Sequence, residues 1–407
     1  MAKRLIIFQV IILAAALMIV LAGCDKDDYP PSLYDPDYVS KGAAVINSVD
    51  PSALALSGVT VITINGANFS PVKDDNLVFF NAEKGIVLEA TETTLKVRAP
   101  IYAADSVAMR VAVQGAVLFS NIWPYSLEPA QEPLITLTTA EVPWAVATDA
   151  EGNVYTSMVL SNAGAGVKKI AAGSDKFVDF APKGGETYYT AMKMGPGGTL
   201  YGVRNVKGIF TYKAGDAKPA VFASTGLGNI MDIDFDASKN LWGVGNNPDV
   251  YRIKPDKSVA KFAFKANLRA VRVYNNYLYV AGDQDKIVKV WRFPINGEDL
   301  GAVEEVLNFT DKVGGNFAIY CLTFSADGYM YIGTDAPAAI YLLSPGGALE
   351  PLYPGQFVPK VLSFAWGLGT DLFMTREVTI EAEKVKYQQL VFRINTQKEG
   401  APQFGIL

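Results

Sequence analysis

The sequence predicts an all-β fold, a small β-sandwich followed by a six-bladed β-propeller. Three observations carry the prediction. No long segment keeps the 3.6-residue apolar period of an amphipathic helix, while Gly, Tyr, Phe and Val are plentiful. Short apolar runs broken by Gly, Asn, Asp and Pro turns fill the chain from residue 44 onward. One unit then recurs six times, at 146–155, 192–201, 233–242, 271–279, 322–331 and 364–373: an apolar strand, a Gly/Asn/Asp turn and a second strand carrying an aromatic. The aromatics (Tyr155, Tyr201, Trp242, Tyr279, Tyr331, Phe373) follow one another at intervals of 46, 41, 37, 52 and 42 residues. A period in the forties with a hairpin in each unit is what propeller blades require.

The N-terminus comes first in the chain. Lys3 and Arg4 precede an apolar run over 5–20 that only Gln9 interrupts, and Leu21-Ala22-Gly23-Cys24 closes it with small residues and a thiol. A cleaved secretory signal or one membrane span is the competing reading of such a run. The small residues ending at cysteine resemble the lipobox of bacterial lipoproteins, which implies a signal peptide over 1–23 and lipidation of Cys24. Acyl chains on an N-terminal cysteine hold a protein at a membrane by burying methylene groups, so the membrane is the first expected partner. Asp25-Lys26-Asp27-Asp28 resembles the acid-rich signal that sends Bacteroidetes lipoproteins to the outer face of the outer membrane, and so implies surface exposure. Residues 24–43, Pro- and Asp-rich without an apolar period, read as a flexible tether.

Residues 44–127 are the first folded unit. Val59 and Val61 with Asn65-Gly66 suggest a short strand and a turn in which glycine tolerates positive φ. Phe69 is placed to plug the core after it, and short strands follow around 77–80, 94–97, 109–113 and 125–127. This order resembles the IPT/TIG immunoglobulin-like domain. The resemblance implies a spacer or a protein-contact module.

Residues 128–407 hold the repeats. Third strands fit 166–170, 209–212, 250–253, 288–292, 340–343 and 390–393, and outer strands fit 177–180, 220–222, 260–263 and 304–307. The 52-residue interval is assigned to an excursion near 312–316. Ring closure falls to 134–137, as an outer strand of the last blade, or to 404–407, and both stay open. The turns Ala150-Glu151-Gly152-Asn153 and Ala326-Asp327-Gly328-Tyr329 resemble NHL-type repeats and their six-bladed relatives.

Composition narrows the chemistry. The net charge of −5 becomes −7 once Lys3 and Arg4 leave with the signal, and this acidity opposes nucleic-acid binding. The chain has no histidine, which excludes Ser-His-Asp and Cys-His catalysis and imidazole zinc sites. With Cys24 lipidated, Cys321 has no disulfide partner, and its apolar strand makes it a buried core thiol. No cofactor is expected.

In a propeller the turn inside each repeat lies on one face. The loops leading into each inner strand and those leaving each second strand ring the channel on the other, where ligands are expected. Candidates leading in are Trp144, Tyr189, Asn229, Arg269, Asn316 and Tyr320. Those leaving are Arg204, Asn246, Asp283, Asp335 and Arg376. Flat aromatic faces suit sugar C–H surfaces, and amide and guanidinium forks suit hydroxyls and carboxylates. Loop Asn and Asp are also ordinary turn formers, and Tyr or Trp beside a strand commonly packs in a core. Trp144 is best placed, because Pro143 stiffens the chain before it. Trp242 and Trp291 read as filling between blades, and Trp366 stays open.

The domain order resembles Bacteroidetes-type surface lipoproteins that join an IPT/TIG domain to an NHL-like propeller. It implies a non-catalytic binding protein of the outer membrane with a glycan ligand, standing beside an outer-membrane importer. The alternatives are a protein-interaction or envelope-scaffold lipoprotein and a metal-dependent lactonase-like hydrolase. For the last, Asn229, Asn246 and Asp283 mimic part of the metal set of gluconolactonase-type propellers. The glutamate that set needs is missing, since Glu141 and Glu186 lie a few residues early.

Overall fold

A computed structural model describes residues 37–181, 188–226 and 228–404. The signal segment, Cys24, most of the tether and Glu186 lie outside these residues. The sandwich comes first. One sheet orders Val45–Asp50, Val61–Ala67, Thr94–Arg98 and Ile86–Ala90; the other orders Leu54–Leu56, Trp123–Glu128, Ala104–Val113, Asn76–Phe80 and Glu83–Lys84. Strand residues alternate between faces, so Ile62 and Ile64, Leu95 and Val97, and Val78 and Phe80 all point into one core and are fully buried. Each such side chain contributes roughly 1.5–3 kcal/mol of burial. Phe69 packs in this core as expected. Asn65-Gly66 does not turn: the strand runs through it. Gly66 is required by close approach, since a Cβ there would stand 1.9 Å from the Val45 carbonyl oxygen. The positive φ falls instead at Asn68, whose amide donates to the Ala43 carbonyl at 2.8 Å.

Six antiparallel blades follow, at 141–181, 191–224, 232–263, 267–308, 319–351 and 361–395 with 131–133; each sheet has four strands except the fourth, which has five. Their inner strands are Glu141–Thr148, Ala191–Met194, Asp232–Phe235, Asn267–Tyr274, Ile319–Phe324 and Val361–Trp366. Each packs against the next and the last against the first, so the ring closes. The sixth blade takes its outer strand from the N-terminal side: Gln131–Pro133 pairs with Val391–Asn395. Closure thus uses the stretch just before 134–137, and Ile135 and Leu137 are buried between the last blade and the first. The C-terminus serves elsewhere. Gly400 bridges to Ser325, Ala401 donates to the Phe324 carbonyl at 2.9 Å, and Phe404 packs edge-on to Phe235 at 5.6 Å.

The recurring aromatic has a physical cause in two blades. Asp149 accepts from the Asn153 backbone and side chain, both at 2.8 Å, and from the Tyr155 hydroxyl at 2.7 Å. Asp236 does the same with Asn240, at 2.9 Å, and with the Trp242 indole at 2.9 Å. Trp242, Trp291 and Trp366 are all buried, and Trp366 meets Tyr331 edge-on at 5.3 Å. The long interval of the fourth blade has two sources. Its third strand, Ile287–Asn296, overruns into a hairpin with Asp299–Leu300, and a short helix, Phe309–Val313, follows. Two features escape the sequence reading, the outer strand Leu349–Pro351 and the hairpin of Thr379–Glu381 with Lys384–Tyr387. Among the described residues no helix is long and apolar enough to cross a membrane.

Candidate functional site

The channel is built from inward-facing residues of the inner strands, and these are charged. Arg272 donates to both oxygens of Asp234 at 2.8 Å and to the Gln403 side chain at 2.9 Å. Asp232 accepts from the backbone of Ile233 and of Val271, both at 2.9 Å. Lys193 stands beside them. Burial pushes the Asp232 carboxyl up, to about 6, against the pull of the Lys193 ammonium. Burial and the neighbouring Arg272 lower Lys193. What space remains is about the size of single waters: a cavity of ≈ 30 Å³ among Thr148, Lys193, Asp234, Arg272, Gln403 and Phe404, and one of ≈ 20 Å³ among Thr190, Asp232, Tyr320, Cys321 and Ser363. The C-terminal segment covers the lower mouth. A ligand larger than water is therefore kept out of the channel itself. Open clefts lie outside it, ≈ 420 Å³ beside Glu132, Leu368 and Arg393 and ≈ 860 Å³ beside Arg98, Leu352 and Tyr353. The upper mouth, where the loops between blades converge, is the face that sequence singles out.

At that mouth Trp144 stacks on Tyr188 with ring centres 3.9 Å apart and planes 14° from parallel. Its backbone is held by the Thr375 hydroxyl, which donates to the Trp144 carbonyl, and by Gln389, whose amide donates to the Pro143 carbonyl at 2.5 Å. Across the channel the Arg269 guanidinium lies 3.9 Å from the Tyr320 ring centre, and the Lys360 ammonium lies 4.6 Å from the same ring. The Tyr320 hydroxyl donates to Asp335 at 3.1 Å, and Asp335 also accepts from the Ala318 backbone at 2.7 Å, which fixes the ring. Lys360 pairs with Glu377 at 3.1 Å. Arg269 forms no ion pair among the described residues, and burial works against its charge. Lys360 and Glu377 were not singled out by sequence, because Lys360 reaches Tyr320 only through the packing of the sixth blade on the fifth, and Glu377 joins through Lys360.

The other candidates divide by burial. Asn246 and Asp283 line an open cleft of ≈ 440 Å³ between the third and fourth blades, where the Asn267 amide donates to Asp283 at 2.9 Å. Asn229 is exposed nearby, and its carbonyl accepts from the Asn247 side chain at 2.8 Å. Asn316 is exposed in the loop behind the short helix. Arg204 lies 5.0 Å over the Phe210 ring. Two residues are corrected. Tyr189 turns into the core, packs edge-on against Phe210 and Tyr212, and contacts the Tyr212 hydroxyl with its own. Arg376 is buried, donates to the Gln388 carbonyl at 3.1 Å and stacks near Tyr387 and Phe392, so it braces its own loop. Cys321 is buried and burial raises its thiol, which suits a packing role. Glu141 accepts from the Thr138 backbone at 2.7 Å, a local turn contact.

These geometries can be set beside known proteins. The sandwich decides its own kinship. Residues 44–128 match the IPT/TIG domain. No curated protein matches the chain. Among solved structures, a luciferin-regenerating enzyme is similar over 68% of this chain and 98% of its own, at 13% identity and a TM-score of 0.51. A protein described as a gluconolactonase is similar over 67% of this chain and 94% of its own, at 14% identity and a TM-score of 0.50. An auxiliary nutrient binding protein from Bacteroides ovatus covers 88% of this chain and 99% of its own, at 10% identity and a TM-score of 0.48. At such identities the likeness is one of fold alone. Among the described residues no group of three or more His, Cys, Asp or Glu is arranged to hold a metal.

Proposed function

We propose that the chain is a non-catalytic lipoprotein of the cell surface, anchored through Cys24, whose propeller binds a glycan at the upper mouth while the IPT/TIG domain holds it off the membrane. The observation that carries the reading is the pairing of two features across one mouth. The Trp144–Tyr188 stack presents a flat apolar face suited to sugar C–H groups. Opposite it, the half-buried Arg269 guanidinium lies over Tyr320 without an ion pair among the described residues. A fork-shaped donor in that state favours a ligand that brings a carboxylate, as acidic sugars do. Asn246 and Asp283 extend the hydrogen-bonding surface along the neighbouring cleft.

The test is titration calorimetry of the mature chain, with Cys24→Ser in place of the lipid, against neutral and uronate-containing polysaccharides. Saturable binding weakened at least tenfold by Trp144→Ala and by Arg269→Ala is the expected result, with the acidic panel preferred. Folded protein that binds nothing in the panel, or that binds equally well as either variant, overturns the glycan reading and points to a protein partner.

A further inference from the structure

The IPT/TIG domain carries an apolar surface that neither of its sheets nor the propeller uses. Val117, Leu118, Phe119 and Ile122 are 70, 68, 51 and 53% exposed within six consecutive residues, and Val39 beside them is 88% exposed. Soluble proteins rarely leave such a contiguous patch to water without a partner for it. The loop is held in place rather than loose. The Lys41 backbone donates to the Gly115 carbonyl at 2.8 Å, Val117 donates to the Ser40 hydroxyl at 3.0 Å, and the Tyr38 hydroxyl donates to the Gly115 carbonyl. Phe119 rests edge-on against Phe79 at 5.8 Å.

Two further observations identify the occupant. The first is where the chain goes. Residues 38–41 are bonded to this loop, so the segment that runs back to Cys24 leaves the domain beside the patch. Tyr38 lies fourteen positions after Cys24, a reach of at most about 50 Å. The propeller attaches at the opposite end of the same domain. The Ser57 carbonyl there accepts from Gln356 at 3.0 Å, and strand Trp123–Glu128 runs from the patch to that junction. The second is charge. Lys84 lies 5.5 Å from the Phe79 ring, exposed Arg110 pairs across the strand with Phe79, and the Lys41 stem passes over Gly115. Aromatic and aliphatic side chains fringed by Lys and Arg suit the boundary between acyl chains and anionic headgroups.

We propose that the loop 117–122, with Tyr38 and Val39, seats the IPT/TIG domain on an anionic lipid surface and sets which way the propeller faces. The inference rests on the lipid-anchored reading above. The mature chain carrying Cys24→Ser is expected to float with vesicles of phosphatidylglycerol and phosphatidylethanolamine. Leu118→Asp with Phe119→Asp lowers that partition at least tenfold, and Lys84→Glu lowers it several-fold on these vesicles but not on phosphatidylcholine. These positions are exposed, and a milder pair, Val117→Ser with Leu118→Ser, gives the same direction should the first fail to fold. Trp144→Ala floats like the parent. Equal flotation of parent and patch variants overturns the proposal, as does a parent that floats with no vesicle. So does a parent dimer that the patch substitutions turn into monomers, since a second copy then covers the loop. Palmitate labelling of the full chain separates the two readings. Unlabelled Cys24 removes the anchor and with it the argument from the exit of the chain; labelled Cys24 with indifferent patch variants removes this proposal alone.

Discussion

Asp149 and Asp236 stand at the same place in two blades and do the same work. Each carboxylate gathers the N–H groups of a tight turn and then reaches the aromatic six residues on, Tyr155 or Trp242. Burial pushes Asp149 up, but donation from Asn153 and Tyr155 outweighs it and holds the carboxyl below its usual range. A lowered carboxyl contributes stability that is present above the unfolded value and is lost as pH falls through the folded one. Asp149→Ala leaves a buried hydroxyl and turn donors without an acceptor, a loss of about 1–3 kcal/mol. Urea unfolding at pH 7 checks the size, and the same comparison in acid checks the sign: the gap between parent and variant narrows as Asp149 protonates. At this scale sequence was informative, since the turn residues and the aromatics were legible as a repeat. It misplaced Tyr189 and Arg376, whose loop positions suggested exposure while packing against Tyr212 and Phe392 drew them inward.

Blades are legible where an element carries its own signal. Inner hairpins combine apolar alternation, a turn and an aromatic within ten residues, and all six were readable. The strand Gln131–Pro133 has no such signal. It is short, polar and ends in proline, which an edge strand tolerates because no neighbour needs its outward N–H. Only its pairing with Val391–Asn395 makes it a strand, together with the Glu132–Arg393 ion pair. The sandwich and the propeller have separate cores, the first drawn wholly from residues 44–127. A defect confined to one core should therefore leave the other intact. Gly66→Ala drives a methyl into the Val45 carbonyl oxygen and forces two strands apart, at about 1–3 kcal/mol. Scanning calorimetry is expected to show one transition moved down by several degrees and the larger propeller transition unmoved. A single transition that shifts as a whole would show that the two cores melt together.

The whole molecule is organised around a filled channel, and that is what sequence left unread. Lys193, Asp232, Asp234 and Arg272 sit in strands that looked apolar, and only closure of six blades points them at one axis. Their parity was a usable signal, since Asp232 and Asp234 occupy alternate positions of one strand and so face one side. The buried Arg272–Asp234 pair is exposed 2 and 7% at its side chains. Arg272→Met strands an ionised carboxylate among the inner strands and is expected to cost about 3–5 kcal/mol. Asp232 gives the channel a pH signature of opposite sign to Asp149. Its carboxyl is raised to about 6, so between roughly pH 4 and 6 the folded chain keeps a proton that the unfolded chain has released. Stability contributed by this group is therefore highest in acid and falls as pH rises through that window, by up to ~3 kcal/mol, then levels. Asp232→Asn removes the titration, so the stability difference between parent and variant should drift across pH 4–6 in the variant's favour and stay flat from pH 7 to 8. Lys193→Met takes away the ammonium that favours the charged carboxylate and should carry the drift to higher pH. A difference independent of pH from 4 to 8 would mean that Asp232 is solvated or paired as in an ordinary surface carboxylate, and that the channel is open to water along its length.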